Sequence, residues 1–265
     1  MDGSSTSDTV VICKNCQSPV NGNYCAQCGQ AADTHDINAH FLWHDIQHGL
    51  FHFDSGIFYT LKELMIRPGN AIREFIEGKR VRHFKPISFL VIIAGLYGFL
   101  AHWQHVGSHV ELAVGDGQKT VSQVKQVMEW LINHYAFLML LLLPFSAFGT
   151  YRAFYASGYN YAKHLVINAY MQGWHIVIKI LFMPLTLWLI HDPENWLLTL
   201  PEIISIGYVT FTLMQLFHTI PARQRLLRVL WSYILTGLLY VLFFIVAVAL
   251  GLLWVQQVHP EVLNG

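Results

Sequence analysis

Charged residues are scarce in this chain of 265 residues. They make up 12% of it, whereas soluble domains carry roughly 25%. Hydrophobic residues reach 54%, and the mean hydropathy is +0.40. The 16 basic and 16 acidic residues balance to a formal net charge of zero, which argues against nucleic acid as the main partner. This composition indicates a protein that is solvated largely by a lipid bilayer.

Signals for export and for catalysis are also missing. Residues 1–9 are polar, with Asp2 and Asp8, and have neither the basic start nor the apolar centre of a cleavable signal peptide. We therefore expect the first apolar run to direct membrane insertion. The sequence has no His-Glu-x-x-His motif, no phosphate-cradling loop and no evident nucleophile–base pair. An enzyme is accordingly the least favoured class.

What the sequence does contain is a series of long apolar runs. Runs of about 18 residues or more are typical of membrane-spanning helices, because backbone polar groups in lipid must be bonded internally. We predict an all-α integral membrane protein with five spans, at about 86–103, 130–150, 166–190, 197–218 and 229–254.

The placement of lysine and arginine predicts the orientation of these spans. Eight basic residues precede the first span and five follow the second and fourth spans, whereas the loop after the first span has two. The bias predicts an N-terminus in the cytoplasm and a C-terminus outside it, and an even number of spans would break the pattern. The residues assigned to the cytoplasmic side are Lys14, Lys62, Arg67, Arg73, Lys79, Arg80, Arg82, Lys85, Arg152, Lys163, Arg223, Arg225 and Arg228.

All the cysteines lie in one motif near the N-terminus. Two Cys-x-x-Cys pairs are separated by eight residues, and four thiolates are the ligands of a closed, tetrahedral, structural zinc site. Two disulfides or a redox pair are the alternatives. The reducing cytoplasm disfavours the first, and the lack of a strand–helix–strand pattern disfavours the second. We predict structural zinc held by Cys13, Cys16, Cys25 and Cys28.

The remaining segments complete the predicted domain layout. We expect a disordered tail (1–12), a zinc-ribbon-like head (13–29), a linker (30–39), a cytoplasmic juxtamembrane segment of amphipathic helices (40–85), the five-helix domain (86–254) and a periplasmic tail (255–265).

Within the juxtamembrane segment, apolar residues recur at helical spacing from Leu42 to Phe53. This pattern predicts an amphipathic helix on the inner membrane face. Asp54 and Ser55 suit the start of a second helix, which runs to about Ile66.

Turn signals and basic residues follow that helix. The Pro68-Gly69 pair predicts a turn, Asn70 a helix cap and Gly78 a helix end. The basic residues next to the first span are expected to bind anionic lipid headgroups; they are Lys79, Arg80, Arg82 and Lys85.

Short stretches of this region resemble a known family. They are His48 to Asp54, Thr60 to Leu64, Arg67 to Gly69, Ile72 to Ile76, Gly78 to Arg80 and Phe84 to Pro86. Together with the cysteine pairs they resemble the bacterial family called domain of unknown function 3667, over Cys13 to about Leu100. The resemblance implies a bacterial inner-membrane protein and supplies no activity.

Histidine is abundant, with 15 residues. One set repeats every four residues and would form a stripe on a helix, which Asp36 extends backwards. The stripe is interpreted either as a second metal site or as a polar face towards water. Another set shares a face at the outer end of the first span. This second set either binds a transition metal or is simply exposed to solvent. The first set is His40, His44, His48 and His52; the second is His102, His105 and His109.

The third span carries a polar face formed by Asn168, Gln172, His175 and Lys179, at spacings of four, three and four residues. Lys179 lies near the middle of the apolar run, where a lysine costs roughly 3 kcal/mol. We therefore expect it to face a partner or a water-filled cavity. Hydrogen bonding between helices without transport is the alternative.

Glu202 is the carboxylate of the fourth span. Regular helices would place it about 9 Å in depth from Lys179, so a bridge would need tilt or water. Pro201-Glu202 also suits a helix start, with the acid beside the positive helix end. Both interpretations stay open.

Three functional classes follow from these features. The first is a non-enzymatic inner-membrane protein whose zinc head and amphipathic segment dock a cytoplasmic protein, as a scaffold, regulator or assembly factor. The second is a transporter or channel for a small solute or lipid that uses the polar face of the third span, although no inverted repeat is apparent. The third is a membrane metalloenzyme acting on lipid. A homo-oligomer is compatible with each class.

Overall fold

The computed structural model describes residues 11–38, 40, 42, 56–104, 130, 133–189, 192 and 195–258, with side chains as far as residue 249. These ranges contain a small two-stranded hairpin and seven α-helices. The elements are β1 (Val11–Ile12), β2 (Pro19–Val20), α1 (Gly56–Ile66), α2 (Pro68–Ile76), α3 (Pro86–Trp103), α4 (Tyr135–Ala153), α5 (Tyr161–Trp188), α6 (Leu200–Leu216) and α7 (Ala222–Val258).

The helices α3 to α7 are each long and apolar enough to cross a bilayer, when α6 is taken with the 3₁₀ turn Trp196–Thr199 that precedes it. The predicted class, a helical membrane protein with five spans and an N-terminal cysteine cluster, is therefore confirmed. The bounds of α3 agree with the prediction, and the other four spans differ by a few residues.

Local chemistry explains why two of the spans begin early. The α5 helix starts at Tyr161 because the side chain of Asn160 accepts a hydrogen bond from the backbone N–H of Lys163, at 2.9 Å. An asparagine in this position satisfies an otherwise unpaired helix donor. The α7 helix starts at Ala222, directly after Pro221, so its first two turns carry basic residues that the hydropathy pattern alone assigns to a loop.

The α5 helix is the centre of the bundle. It packs against α3, α4 and α6, and 56% of its most apolar window is buried, against 6% for α7. Contact with α3 is close at Gly173, where an added Cβ would lie 2.5 Å from Cε1 of Phe89. The α7 helix packs on α4 and α6 and leaves a broad apolar face exposed, which a bilayer would cover.

The expected turn at Pro68-Gly69 is wrong, because these residues are the first two of α2. Proline is well suited to a first helical turn, since its missing N–H would be unpaired there in any case. Asn70 consequently lies inside the helix instead of capping it. The predicted helix end is confirmed: Gly78 has φ +105° just beyond α2.

The helices α2 and α6 cap each other. The backbone N–H groups of Gly69 and Asn70 donate to Oε1 of Gln215, at 2.8 and 3.3 Å. In return, Arg73 Nη2 donates to the carbonyls of Gln215 and Leu216, at 2.6 and 3.1 Å. Each helix thus satisfies backbone groups that the other leaves unpaired at its end. The juxtamembrane helix α2 is fixed to one end of the bundle, which we name the head end.

Candidate metal site and intramembrane cavity

The four cysteines converge in the head. Their sulfurs all lie within 4.8 Å of one another, with 3.6 Å between Cys13 and Cys28 and 3.4 Å between Cys16 and Cys25. Tetrahedral zinc with bonds of about 2.3 Å would hold sulfurs about 3.8 Å apart, whereas a disulfide needs about 2.05 Å. The donor set and its spacing fit a metal ion held by four thiolates.

The two halves of the head repeat one backbone pattern. The N–H of Cys13 donates to the carbonyl of Ser18 and the N–H of Gln17 to the carbonyl of Cys13, both at 2.9 Å. The N–H of Cys25 donates to the carbonyl of Gln30 and the N–H of Gly29 to the carbonyl of Cys25, both at 2.8 Å. We name these two turns, residues 13–17 and 25–29, the knuckles. The fifth residue of each knuckle has a positive φ, 63° for Gln17 and 75° for Gly29. Each pair is therefore held in a turn that directs both sulfurs to one point.

Hydrogen-bond donors stabilise the thiolates of two of the cysteines, Cys16 and Cys28. The side chain and backbone of Ser18 lower the pKa of the Cys16 thiol to about 6. The backbone of Gln30 and the side chain of Asn15 lower the pKa of Cys28. Donors directed at sulfur stabilise its charged form, and the thiolate is the form that binds metal.

The head is fastened to the membrane domain by Gln30, a residue that sequence analysis missed. Its side chain is 3% exposed. Nε2 donates to the carbonyl of Gly78 at 2.7 Å, and Oε1 accepts from the N–H groups of Arg80 and Val81 at 3.0 and 3.3 Å. Gln30 follows the last cysteine by two residues, so the metal site and the segment between α2 and α3 are held in one arrangement.

The predicted linker makes further contacts with the head end of α5. Asp36 pairs with Nζ of Lys163 at 2.8 Å, and the pKa of its carboxyl is lowered by that ammonium. Asn160 Nδ2 donates to the carbonyl of Ile37 at 2.8 Å, and Ile37 is fully buried. Asp36 therefore binds Lys163, and its place in the histidine stripe stays a prediction, because most of that stripe lies outside the described residues. The N-terminal segment and the loop after the second span share one side, as the charge pattern requires.

The basic residues predicted to bind headgroups differ in their surroundings. Nζ of Lys79 lies 3.8 Å from Oε1 of Glu74. The guanidinium of Arg80 lies 5.4 Å from the ring centre of Phe75. Arg82 is exposed, and Lys85 is half-buried. Headgroup binding by this set stays a prediction.

The histidine sets fall mostly outside the described residues. His40 and His102 are described and exposed, whereas the remaining members lie outside the described ranges. Within those ranges, the cysteine cluster is the one group of three or more metal-ligand side chains brought together. The members that lie outside are His44, His48, His52, His105 and His109.

The polar face of the third span lines a single cavity. Asn168, Gln172, His175 and Lys179 all border a partly open space of about 280 Å³ between α4, α5, α6 and α7. The structure thus brings together the stripe that the sequence pattern identified. It adds residues from three other helices that no sequence signal indicated, because the pairing of spans is not encoded in their hydropathy: Tyr135, Met139, Leu142, Ser146, Thr150, Val209, Leu213, Ser232, Tyr233, Thr236 and Tyr240.

Lys179 and Glu202 form an ion pair at one end of this cavity. Nζ lies 2.9 Å from Oε1, and Nε2 of His175 lies 3.7 Å from Oε2. Glu202 is also in the first turn of α6, beside Pro201, so both interpretations of this residue hold. The two charged groups are in direct contact, so the pair needs no bridging water, and the difference in depth between the two helices stays a prediction.

The fold and the cysteine cluster define a five-span helical membrane protein with a small N-terminal head that could hold a metal ion. Residues 54–98 match the family described as "Protein of unknown function (DUF3667)", so the resemblance is confirmed over α1, α2 and most of α3. No curated protein matches the chain. No solved structure matches it either.

Proposed function

We propose that the chain is a non-enzymatic protein of the bacterial inner membrane whose cytoplasmic zinc head docks a protein partner, as a scaffold, regulator or assembly factor. The observation that carries this proposal is the fixed attachment of the head. Three hydrogen bonds to one buried side chain, Gln30, hold it against the membrane domain. A head held in this way presents its surface at a fixed height and orientation.

The choice of zinc rests on the donor set. Four thiolates suit zinc in a closed structural site and leave no position open for a substrate. Metal binding to such a segment supplies about 10–16 kcal/mol of apparent binding energy, enough to fold a head with a very small core. The core of the head within the described residues consists of Val20 and the cysteines.

The surface offered to a partner includes three exposed apolar side chains. Val11 and Ile12 lie in the predicted tail but pair with β2 of the head, and they are 47% and 51% exposed; Tyr24 of the head is 69% exposed. Apolar side chains exposed on so small a unit favour contact with a protein, and Tyr is enriched in the central contacts of interfaces. We name these three residues the head patch.

Site-specific photo-crosslinking in native membranes tests this function. A photoreactive residue at Tyr24 should capture one protein of defined mass, and purification of that protein should recover this chain. The control position is Tyr155, which is 63% exposed in the 3₁₀ turn after α4 and is not part of the head. The same product from both positions would contradict the proposal.

A second variant separates the head from the rest of the chain. Replacing Cys13 and Cys16 with serine should remove the bound zinc, as measured by elemental analysis, and should abolish the product at Tyr24. The five-helix domain should remain in the membrane fraction. Persistence of the product without zinc would rule out a metal-dependent docking surface.

A transporter or channel is the second candidate, and the cavity between α4, α5, α6 and α7 favours it. Lys179 and Glu202 place an ion pair at one end of the cavity, and polar groups within a bundle commonly mark a substrate path. Under this alternative, Lys179→Met should abolish solute flux in proteoliposomes. Normal flux together with a higher stability of the variant would instead indicate that Lys179 destabilises the folded protein and has no role in transport.

A further inference from the structure

We propose that the cavity between α4, α5, α6 and α7 binds a single acyl chain of about 12–14 carbons that ends in an anionic oxygen headgroup. The headgroup would lie at Lys179, and the chain would run along α5 towards Asn168. This site is independent of the zinc head, and its test does not depend on a protein partner.

The inner wall of the cavity presents mainly carbon, although many of its residues are polar by name. The hydroxyl of Ser146 donates to the carbonyl of Leu143 at 2.9 Å, that of Thr150 to the carbonyl of Ala147 at 3.1 Å, and that of Ser232 to Val229 at 2.7 Å. Hydroxyls bonded to their own helix turn carbon towards the space beside it.

Amide groups on the wall are also largely paired. Asn168 Nδ2 donates to Thr150 Oγ1 at 2.7 Å, and Gln172 Nε2 donates to Ser146 Oγ at 2.8 Å. Oε1 of Gln172 is the exception, because it is buried and has no hydrogen-bond partner among the described residues. A space walled in this way suits a hydrocarbon better than a polar solute.

The dimensions of the cavity fit one chain. Asn168 and Lys179 are eleven residues apart on α5, which corresponds to about 17 Å along a helix. An extended hydrocarbon advances about 1.3 Å per bond, so the cavity spans about 12–14 carbons. Its volume of about 280 Å³ is slightly below the range of ordinary ligand pockets, roughly 300–1,000 Å³. A narrow space of this length excludes two chains side by side.

The polar end of the cavity selects the headgroup. Lys179 has three N–H donors, and Glu202 is its acceptor at 2.9 Å. The Glu202 side chain is 53% exposed, so this end of the cavity reaches the protein surface. A carboxylate or phosphate at the chain end would take the place of Glu202 beside Lys179, or share the ammonium with it. Nε2 of His175 lies nearby as a further polar group.

The experiment uses the full-length, metal-loaded protein, stripped of lipid in mild detergent, with radiolabelled tetradecanoic acid as the probe. We expect saturable binding of one molecule per chain. Lys179→Gln should weaken it at least tenfold, and Lys179→Arg should largely restore it. Glu202→Gln should tighten binding, because it removes the competing carboxylate while leaving the cavity intact. A purely structural role of the pair would not produce these opposite signs.

Matched variants and probes test the position of the chain. Met139→Trp would fill the cavity and should weaken binding at least tenfold, whereas Leu141→Trp, on the exposed side of the same helix, should not. Hexanoic acid should bind at least tenfold more weakly than tetradecanoic acid. Equal binding to Met139→Trp and wild type, or equal affinity for tetradecanol and tetradecanoic acid, would overturn the proposal.

A competition step identifies the natural source of the chain. Free tetradecanoic acid and lysophosphatidylglycerol with a tetradecanoyl chain are each used to displace the label. Stronger displacement by the lysolipid assigns the site to a membrane lipid, and stronger displacement by the acid assigns it to a free fatty acid. Displacement by neither would show that the label binds the protein surface or the micelle, and would also overturn the proposal.

Discussion

Gln17 and Gly29 hold equivalent places in the two knuckles of the head, yet only one of them is a glycine. Both have a positive φ, 63° and 75°, where a side chain costs roughly 1–2 kcal/mol. The first knuckle therefore carries a local strain that the second avoids. The strain is sustained because the hydrogen bond from Gln17 N–H to Cys13 closes the turn.

This asymmetry leads to a prediction with opposite signs in the two halves. Gln17→Gly should remove this strain. The net gain in stability of the turn is smaller than the strain energy, because a flexible glycine loses roughly 0.5–1 kcal/mol of conformational entropy on folding. Zinc affinity, measured by competition with a chelator, should rise about two- to fivefold. Gly29→Gln should lower it by a comparable factor or more. Changes in zinc affinity of the same sign and size in both variants would show that the positive φ does not determine the affinity of either knuckle.

His83 offers a second test on the scale of one residue. Its side chain is 4% exposed and packs edge-on against Tyr59 and Phe75. Burial lowers the pKa of the imidazole, against the opposing charge of Glu74. The folded protein therefore holds His83 neutral at a pH where the unfolded chain, with the ordinary pKa of about 6.5, already binds a proton.

Stability should consequently fall as the pH drops below about 6.5 towards the lower folded-state pKa, because the unfolded state binds more protons over that window. We expect the melting temperature to decline less steeply in His83→Gln than in wild type between pH 7.5 and 5. His35→Gln, at an exposed position, serves as the control and should leave the slope unchanged. Parallel curves for His83→Gln and wild type would contradict the assignment.

At the scale of elements, the contact between α3 and α5 depends on the absence of one methyl group. Gly173 lets the ring of Phe89 approach α5, and an added Cβ would lie 2.5 and 2.6 Å from two ring carbons. The two helices form the most extensive pairing in the bundle. Small residues at such crossings allow membrane helices to approach closely.

Gly173→Ala should therefore destabilise the bundle by about 1–3 kcal/mol, because overpacking forces the helices apart. Gly207→Ala is the matched control, since nothing lies within 4 Å of its added Cβ and alanine is the better helix former by roughly 0.5–1 kcal/mol. Unfolding in mixed micelles should show a loss for the first and a small gain for the second. A gain in both would mean that Phe89 moves aside freely.

These elements also show what the sequence could and could not reveal. The spans are predictable because a bilayer imposes length and apolarity on each helix separately. The start of α2 was misread because Pro68-Gly69 suits a turn as well as a first helical turn, and the deciding contact comes from Gln215 in a distant helix. The stripe from Asn168 to Lys179 was visible because its members share one helix, whereas the opposing walls of the cavity depend on tertiary packing.

For the molecule as a whole, the head and the membrane domain act as one structure through Gln30. Nothing in the sequence marks Gln30, because a lone glutamine after a cysteine motif carries no periodic or spacing signal. Its side-chain oxygen Oε1 accepts from the N–H groups of Arg80 and Val81, which lie 50 and 51 residues further along the chain. Folding of the head is thereby linked to order beside the first span.

Metal removal should break this link in a measurable way. We expect amide hydrogen exchange at Arg80 and Val81 to accelerate at least tenfold after chelation, and to a similar degree in metal-loaded Gln30→Leu. Gln27→Leu, an exposed change in the same knuckle, should leave exchange as in wild type. Unchanged protection after chelation would show that docking of Gln30 does not require the metal.

The contacts at the head end join parts of the chain that leave the ribosome far apart in time. Ile37 and Asp36 bind Asn160 and Lys163, which lie 123 and 127 residues later. The first turn of α2 is capped by Gln215, 146 residues beyond Gly69. The cysteine motif is therefore synthesised long before the surface against which the head packs. The third and fourth spans must enter the bilayer before these contacts can form. Packing of the N-terminal region against the helix bundle is therefore a late step of assembly.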